Sequence, residues 1–390
     1  MTTAPALPAA AKELHLASSS KRIPELDGLR GLAILLVLVA HYFPLVTIAG
    51  DHVILRRVLR LFALGWSGVD LFFVLSGFLI GGILFESRSS PRYFKTFYFR
   101  RAYRILPIYS LWLLLYLLVA LTYRFFVPQT PIGSADLRHF PYYLLFLQNF
   151  LFFKAHLEVI WLGVTWSLAI EEQFYLCAPF VVRNLRVRPL VIVLGSLVLI
   201  APLLRLAVYL WLPQQILLVY LSLFCRADAL ALGMLAAVGS SLPEVRGYVQ
   251  AHPNLPRNFI IGSACALAAV GYWLLGPREV ISGTLGFSCL AFFYLSLLVF
   301  VLLRPGSAIA GATRWKALRK LGMISYCVYI IHGPVLHAVH RIFRASGPSI
   351  SSWDAVGATC LALFFTLLLA ILSWYLLEKP LIRRGHRYSY

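Results

Sequence analysis

Charge is what this 390-residue chain has least of. Only 13% of its residues are Asp, Glu, Lys or Arg, about half the share of an ordinary soluble domain. Acids are scarcer still, 15 against 35 Lys and Arg, which leaves a formal net charge of +20. With 60% hydrophobic and 14% aromatic residues, the chain has too few polar groups to cover a water-facing surface, and a soluble enzyme is excluded. Its six cysteines, Cys177, Cys225, Cys265, Cys289, Cys327 and Cys360, all sit in apolar runs without CxxC spacing. Neither a disulfide framework nor a zinc site is expected, and no metal site at all. Residues 1–22 lack the positive region, apolar core and cleavage site of a signal peptide. No internal repeat and no Pro/Gly/Ser-rich linker interrupts the chain beyond residue 22. The expected organisation is a flexible cytoplasmic tail (1–22), one transmembrane domain (23–378) and a second cytoplasmic tail (379–390), with no extracytoplasmic domain.

What the chain has instead is long apolar runs. A helix needs roughly 20 such residues to cross about 30 Å of hydrocarbon. Ten runs qualify: 28–49, 65–85, 103–123, 164–182, 189–210, 217–239, 258–275, 281–303, 322–343 and 356–377. An aromatic stretch from Phe140 to Phe153 carries Gln148 and Asn149 and reads as an interfacial or re-entrant helix. The fold class is thus all-α, a polytopic membrane protein of about ten spans. With the N-terminus inside, 22 of the 35 Lys and Arg fall in inner segments and 8 in outer ones, so the positive-inside rule makes both termini cytoplasmic. The basic excess that would otherwise suggest nucleic acid is accounted for by the membrane, and no nucleic-acid partner is expected.

Polar groups within such runs are costly and read first as functional or paired. Arg30 and His41 stand eleven positions apart in the first run, close to three helical turns, so they share a face about 16 Å apart along the axis. A neutral buried imidazole there is a candidate general base for a hydroxyl, the plain alternative being a packing histidine. In the second run Asp70 reads as a cation partner or helix cap, Ser76 as a polar contact, and Gly68 and Gly77 as sites of close helix approach. The segment 88–104 is the most basic of the chain. Arg100, Arg101 and Arg104 make a plausible anion cradle, since guanidinium groups grip phosphate bidentately. Glu171 and Glu172 are adjacent, about 100° apart on a helix, so at most one faces any given site. Glu171 could orient a histidine or pair with an arginine. Arg205, Arg226 and Asp228 read as internal ion pairs, and Glu378-Lys379-Pro380 as a helix end. In the ninth run Tyr326, Tyr329 and His332 recur at three-residue spacing on one face.

These residues carry a resemblance to the acyltransferase-3 family of multi-pass bacterial membrane acyltransferases, over nearly the whole chain. Arg30 and His41 match its basic-residue–histidine spacing, within Leu26-Asp27-Gly28-Leu29-Arg30-Gly31. Phe72 to Phe78 match Phe-Phe-x-x-Ser-Gly-Phe, and Arg101 to Pro107 match Arg-x-x-Arg-Ile-x-Pro. Trp166 to Tyr175 match Trp-Ser-Leu-x-x-Glu-x-x-Phe-Tyr, and Ser325 to His332 match Ser-Tyr…Tyr-x-x-His. The resemblance implies a membrane O-acyltransferase of the bacterial cytoplasmic membrane. It would move an acyl group, commonly acetyl, from acyl-CoA as co-substrate to a hydroxyl of a glycan, lipid-linked sugar or other small acceptor, a secondary metabolite such as a macrolide included. No permanently bound cofactor is implied. His41 and Glu171 would be catalytic, and Arg30, Arg100, Arg101 and Arg104 would bind the acyl-CoA. Asp70, Ser76, Tyr326, Tyr329 and His332 would be acyl or acceptor contacts. A transporter or flippase for a glycan precursor is the rival reading. It fits less well because the related halves common in transporters are absent.

Overall fold

The computed structural model of the chain describes residues 23–43, 64–126, 137–151, 161–274, 279–344, 347–348 and 352–390. The expected N-terminal tail, 1–22, lies outside the described residues. Every regular element among them is helical. The longer helices are α1 (Pro24–Tyr42), α2 (Gly68–Ser87), α3 (Tyr93–Phe126), α4 (Trp166–Asn184), α5 (Val187–Trp211) and α6 (Leu223–Ser241). They continue as α7 (Leu255–Leu274), α8 (Phe287–Leu303), α9 (Lys316–Met323), α10 (Ser325–Arg344), α11 (Trp353–Ser373) and α12 (Lys379–Gly385). Helices are the expected outcome for such a composition, because a helix satisfies its own backbone donors and acceptors where water is absent.

Among the described residues, six helices are long and apolar enough to cross a membrane, or seven when α9 and α10 count as one bent span. This makes a multi-pass membrane protein, with fewer unambiguous spans than the ten expected. The difference has a physical source. Helix α1 carries Glu25, Asp27 and Arg30, and α4 carries Glu171, Glu172 and Arg183. Helix α3 also begins earlier than its apolar run, at Tyr93, and its 34 residues extend about 51 Å, well beyond a hydrocarbon core of about 30 Å. Most of the basic segment expected as a loop is therefore helix. The stretch from Phe140 forms two short helices, Phe140–Leu144 and Gln148–Leu151, around Phe146 at a positive φ of 54°. Neither is long enough to span.

The chain gathers into two compact units interleaved in sequence. The first comprises Met1–Arg30, Asp70–Ser90 and Phe174–Arg319. Within it α6 packs on α5 and α8, and α7 on α8. Small residues of α6 let α2 come close: a Cβ on Gly77 would strike the Leu230 carbonyl, and one on Gly233 the Val74 carbonyl. Two fully buried ion pairs lock this core. Arg205 binds Asp228 at 2.9 Å and also donates to Ser288 and to the Cys225 and Thr284 carbonyls. Arg226 binds Asp70 at 2.6 Å, its guanidinium stacked over Phe287 at 4.0 Å.

The second unit comprises Gly31–Val69, Pro91–Gln173 and Lys320–Tyr390. Helix α10 packs along α11, and α12 along α3. The residues of α1 in this unit pass so near the start of α2 that a Cβ on Gly68 would meet the Ala33 carbonyl. The two short helices are tied in by side chains: Tyr109 donates to the Tyr143 carbonyl at 2.7 Å and fully buried Gln148 to the Thr165 carbonyl at 2.9 Å.

Two outcomes test this packing. Gly77→Ala is expected to lower stability by about 1–3 kcal/mol through overpacking, read as a lower melting temperature of the detergent-purified chain; an unchanged value would mean that α2 and α6 are not in such contact. Asp70→Asn strands the Arg226 guanidinium and is expected to cost about 3–5 kcal/mol, whereas the paired replacement Asp70→Leu with Arg226→Met restores most of it.

Candidate active site

His41 lies in the last turn of α1. Its Nδ1 bonds the Val37 carbonyl one turn back, at 2.8 Å. A carbonyl oxygen only accepts, so Nδ1 carries the ring proton and Nε2 keeps its lone pair. The side chain is exposed, and Nε2 has no hydrogen-bond partner among the described residues. That is the state a general base requires before it acts.

His332 of α10 stands edge-on to this ring, the centroids 4.7 Å apart and the planes at 78°. It is fully buried, its Nδ1 donates to the Tyr329 carbonyl at 2.7 Å, and its Nε2 has no partner. Both imidazoles are thus set by their own helix backbones in the same tautomer. Tyr42 fixes the surroundings. Its hydroxyl donates to the His332 carbonyl at 3.2 Å and bonds Thr366 Oγ1 of α11 at 2.9 Å, so one phenol beside His41 joins α1, α10 and α11.

The other residues on this face of α10 serve as anchors. Tyr329 donates to the Val164 carbonyl at 3.1 Å and lies 2.6 Å from Ser167 Oγ, while Tyr326 donates to the Ile105 carbonyl of α3 at 2.9 Å. Their hydroxyl protons point at backbone carbonyls, which suits packing better than contact with an acyl group. Glu171 is not needed to set the tautomer of His41, because Val37 does so. Its neighbour Glu172 is the more telling carboxylate: Oε1 is buried without a partner, and the charge of Arg101 acts on it together with that of Glu171. Sequence could show only that one of the two faces inward.

The basic face of α3 is occupied by the chain itself. Arg100 Nε donates to the Tyr388 carbonyl at 2.9 Å and its guanidinium lies 5.0 Å from the Tyr390 ring. Thr96 donates to the Ser389 carbonyl at 2.9 Å, and the Tyr388 ring packs on Phe99. Arg101 acts on Glu172, and Arg104 acts on Glu378, which is buried and accepts from Ser373 at 3.1 Å. Arg100 is thus engaged by the C-terminal residues, while the charges of Arg101 and Arg104 bear on two different carboxylates. Sequence reasoning missed Glu378 as a member of this cluster. It treated Glu378 as a helix end, whereas the chain passes through a π-turn at Trp374–Glu378 and runs on as α12.

Arg30, half-buried on α1, and Asp70 and half-buried Ser76 on α2 belong to the first unit. Asp70 takes the cation-partner role that its place in the second run suggests, pairing with Arg226 in a fully buried core. Among the described residues, no group of three or more His, Cys, Asp or Glu could hold a metal ion.

Comparison with known proteins gives this geometry a lineage. The peptidoglycan O-acetyltransferase OatA of Listeria monocytogenes is 26% identical over 94% of this chain and 57% of its own length. The putative peptidoglycan O-acetyltransferase YrhL of Bacillus subtilis is 27% identical over 96% and 57%, respectively. The O-acetyltransferase OatA of Staphylococcus aureus is 24% identical over 96% and 60%. The chain thus spans less than two thirds of the length of these relatives. No solved structure matches it. The family model described as an acyltransferase domain matches residues 23–375, a stretch that contains Arg30, His41, the basic face of α3 and the α10 motif, and the chain belongs to the acyltransferase-3 family.

Proposed function

We propose that the chain is a membrane O-acyltransferase that moves an acyl group, acetyl foremost, from acyl-CoA to a hydroxyl of a glycan. The observation that carries this reading is the exposed imidazole of His41, whose Nε2 lone pair is left open by the bond from Nδ1 to Val37. Relatives named as peptidoglycan O-acetyltransferases support a glycan acceptor; a lipid-linked sugar or a small hydroxylated metabolite fits the same chemistry.

In the proposed reaction Nε2 of His41 takes the proton of the acceptor hydroxyl as its oxygen attacks the thioester carbonyl carbon. The C–S bond breaks, CoA leaves as thiolate, and the imidazolium returns the proton to sulfur. General-base assistance of this kind contributes about 10²–10⁴-fold. His332 packs edge-on against His41 and is proposed as a positioning residue that holds the ring plane. Arg100, Arg101 and Arg104 on α3 are the proposed phosphate ligands of the acyl-CoA. Arg100 would use the donors that its bond to Tyr388 leaves free. The enzyme would work in the bacterial cytoplasmic membrane with both termini inside.

The decisive measurement is transfer of labelled acetyl from acetyl-CoA to isolated cell-wall glycan by the purified chain. His41→Ala is expected to lower transfer by about 10²–10⁴-fold without changing the melting temperature; full activity in that variant would sink the reading, and a wild type that never consumes acetyl-CoA would favour a transporter. His332→Ala is expected to lower kcat by up to about 10²-fold through misplacement of the base, with KM for acetyl-CoA little changed.

A further inference from the structure

In the first unit three helix ends meet around a cavity of about 560 Å³ lined by Arg88, Ser89, Arg183, Asn184, Leu185, Arg186 and Val187. The volume is in the range of ligand sites. Its lining holds three guanidinium groups and no carboxylate. The two segments involved, after α2 and between α4 and α5, are ones that charge asymmetry assigns to the same, cytoplasmic, side.

Two of the cations have ordinary explanations. Arg88 follows the C-terminus of α2 and lies over the Phe85 ring at 4.6 Å, and Arg183 ends α4 and donates to the Ser90 carbonyl at 3.1 Å. Cations at helix C-termini complement the helix dipole. Arg186 has no such explanation. It occupies the N-cap position of the 25-residue helix α5, where its side chain makes no capping bond. The dipole there is positive and disfavours a cation, and the N-cap is where Ser, Thr, Asp or Asn would accept from the first-turn N–H groups. Arg186 is exposed, and the α5 first turn presents the N–H groups of Val187 and Arg188 before Pro189, which has none. A cation at a positive helix end, lining the same cavity as two other arginines, favours an anion there.

We propose that Arg88, Arg186, Asn184 and the first turn of α5 bind a phosphate group. Guanidinium pairs and helix N-termini are the two commonest devices for holding phosphate, and this cavity joins them. Basic pockets at the cytoplasmic ends of membrane helices also take lipid headgroups. Two sources carry the chemistry: the headgroup of an anionic phospholipid, which is independent of the acyltransferase reading, and the phosphates of CoA, which rest on it.

The test uses the full chain purified in a neutral detergent. Phosphatidylglycerol binding is read by native mass spectrometry against phosphatidylcholine, and CoA binding by calorimetry. At least one probe is expected to bind the wild type, and R88Q/R186Q to weaken that probe by about tenfold or more. Salt at about 0.5 M should weaken it too. Should the double variant fold poorly, R186Q alone removes an exposed side chain and is expected to show a smaller loss of the same probe. Loss confined to phosphatidylglycerol assigns the site to lipid, and loss confined to CoA assigns it to the co-substrate. Binding of neither probe, or equal binding by wild type and variants, overturns the inference. Acetyl transfer that persists in that case leaves the acyltransferase reading standing.

Discussion

A polar group that leaves water must be matched by another polar group or kept for chemistry, and that constraint orders both units of this chain. In the first unit it is met by two ion pairs, with Asp70 Oδ2 and Arg226 Nε and Nη1 still buried without a bond partner. Arg205 spends its donors on Asp228, Ser288 and two carbonyls, and Arg226 takes Asp70. In the second unit, too, it is met only in part. His332 Nε2 and Glu172 Oε1 are buried with nothing to bond, and they lie on the helices that also carry the motif residues.

The same constraint explains why sequence read some features well. Arg30 and His41 were legible because helical geometry turns an eleven-residue spacing into a shared face whatever surrounds it. Gly68 and Gly77 were legible because glycine in an apolar helix has little use besides close approach, and both sit against a neighbouring backbone carbonyl. The acyltransferase-3 resemblance was legible because its motifs fall in order on successive helices, and residues 23–375 match that family.

Other features depended on what lies across from a residue, which one sequence does not display. Glu171 and Glu172 differ by one position, and only packing shows that Glu172 is the one with an oxygen buried without a partner. Asp70 reads as a cation partner, but that the cation is Arg226, 156 positions away, is visible only in the fold. The start of α3 was missed because Arg, Lys and aromatic residues between 93 and 102 lower the hydropathy without lowering helix propensity; Tyr93, Thr96 and Phe97 are buried there. The same dilution by charge holds α1 and α4 below the threshold of an unambiguous span.

The hydrogen bonds around the histidine pair also set the direction of every nearby proton. Nδ1 of His41 points at a carbonyl, as does Nδ1 of His332. Because Tyr42 gives its proton to the His332 carbonyl, Thr366 must give its own to Tyr42. Each of these chains ends on an oxygen that has no proton to pass on, so none can relay charge toward bulk water. The two Nε2 atoms are the ring positions left open. A proton placed on His41 Nε2 would therefore not leave through these bonds but from the exposed edge of the ring itself.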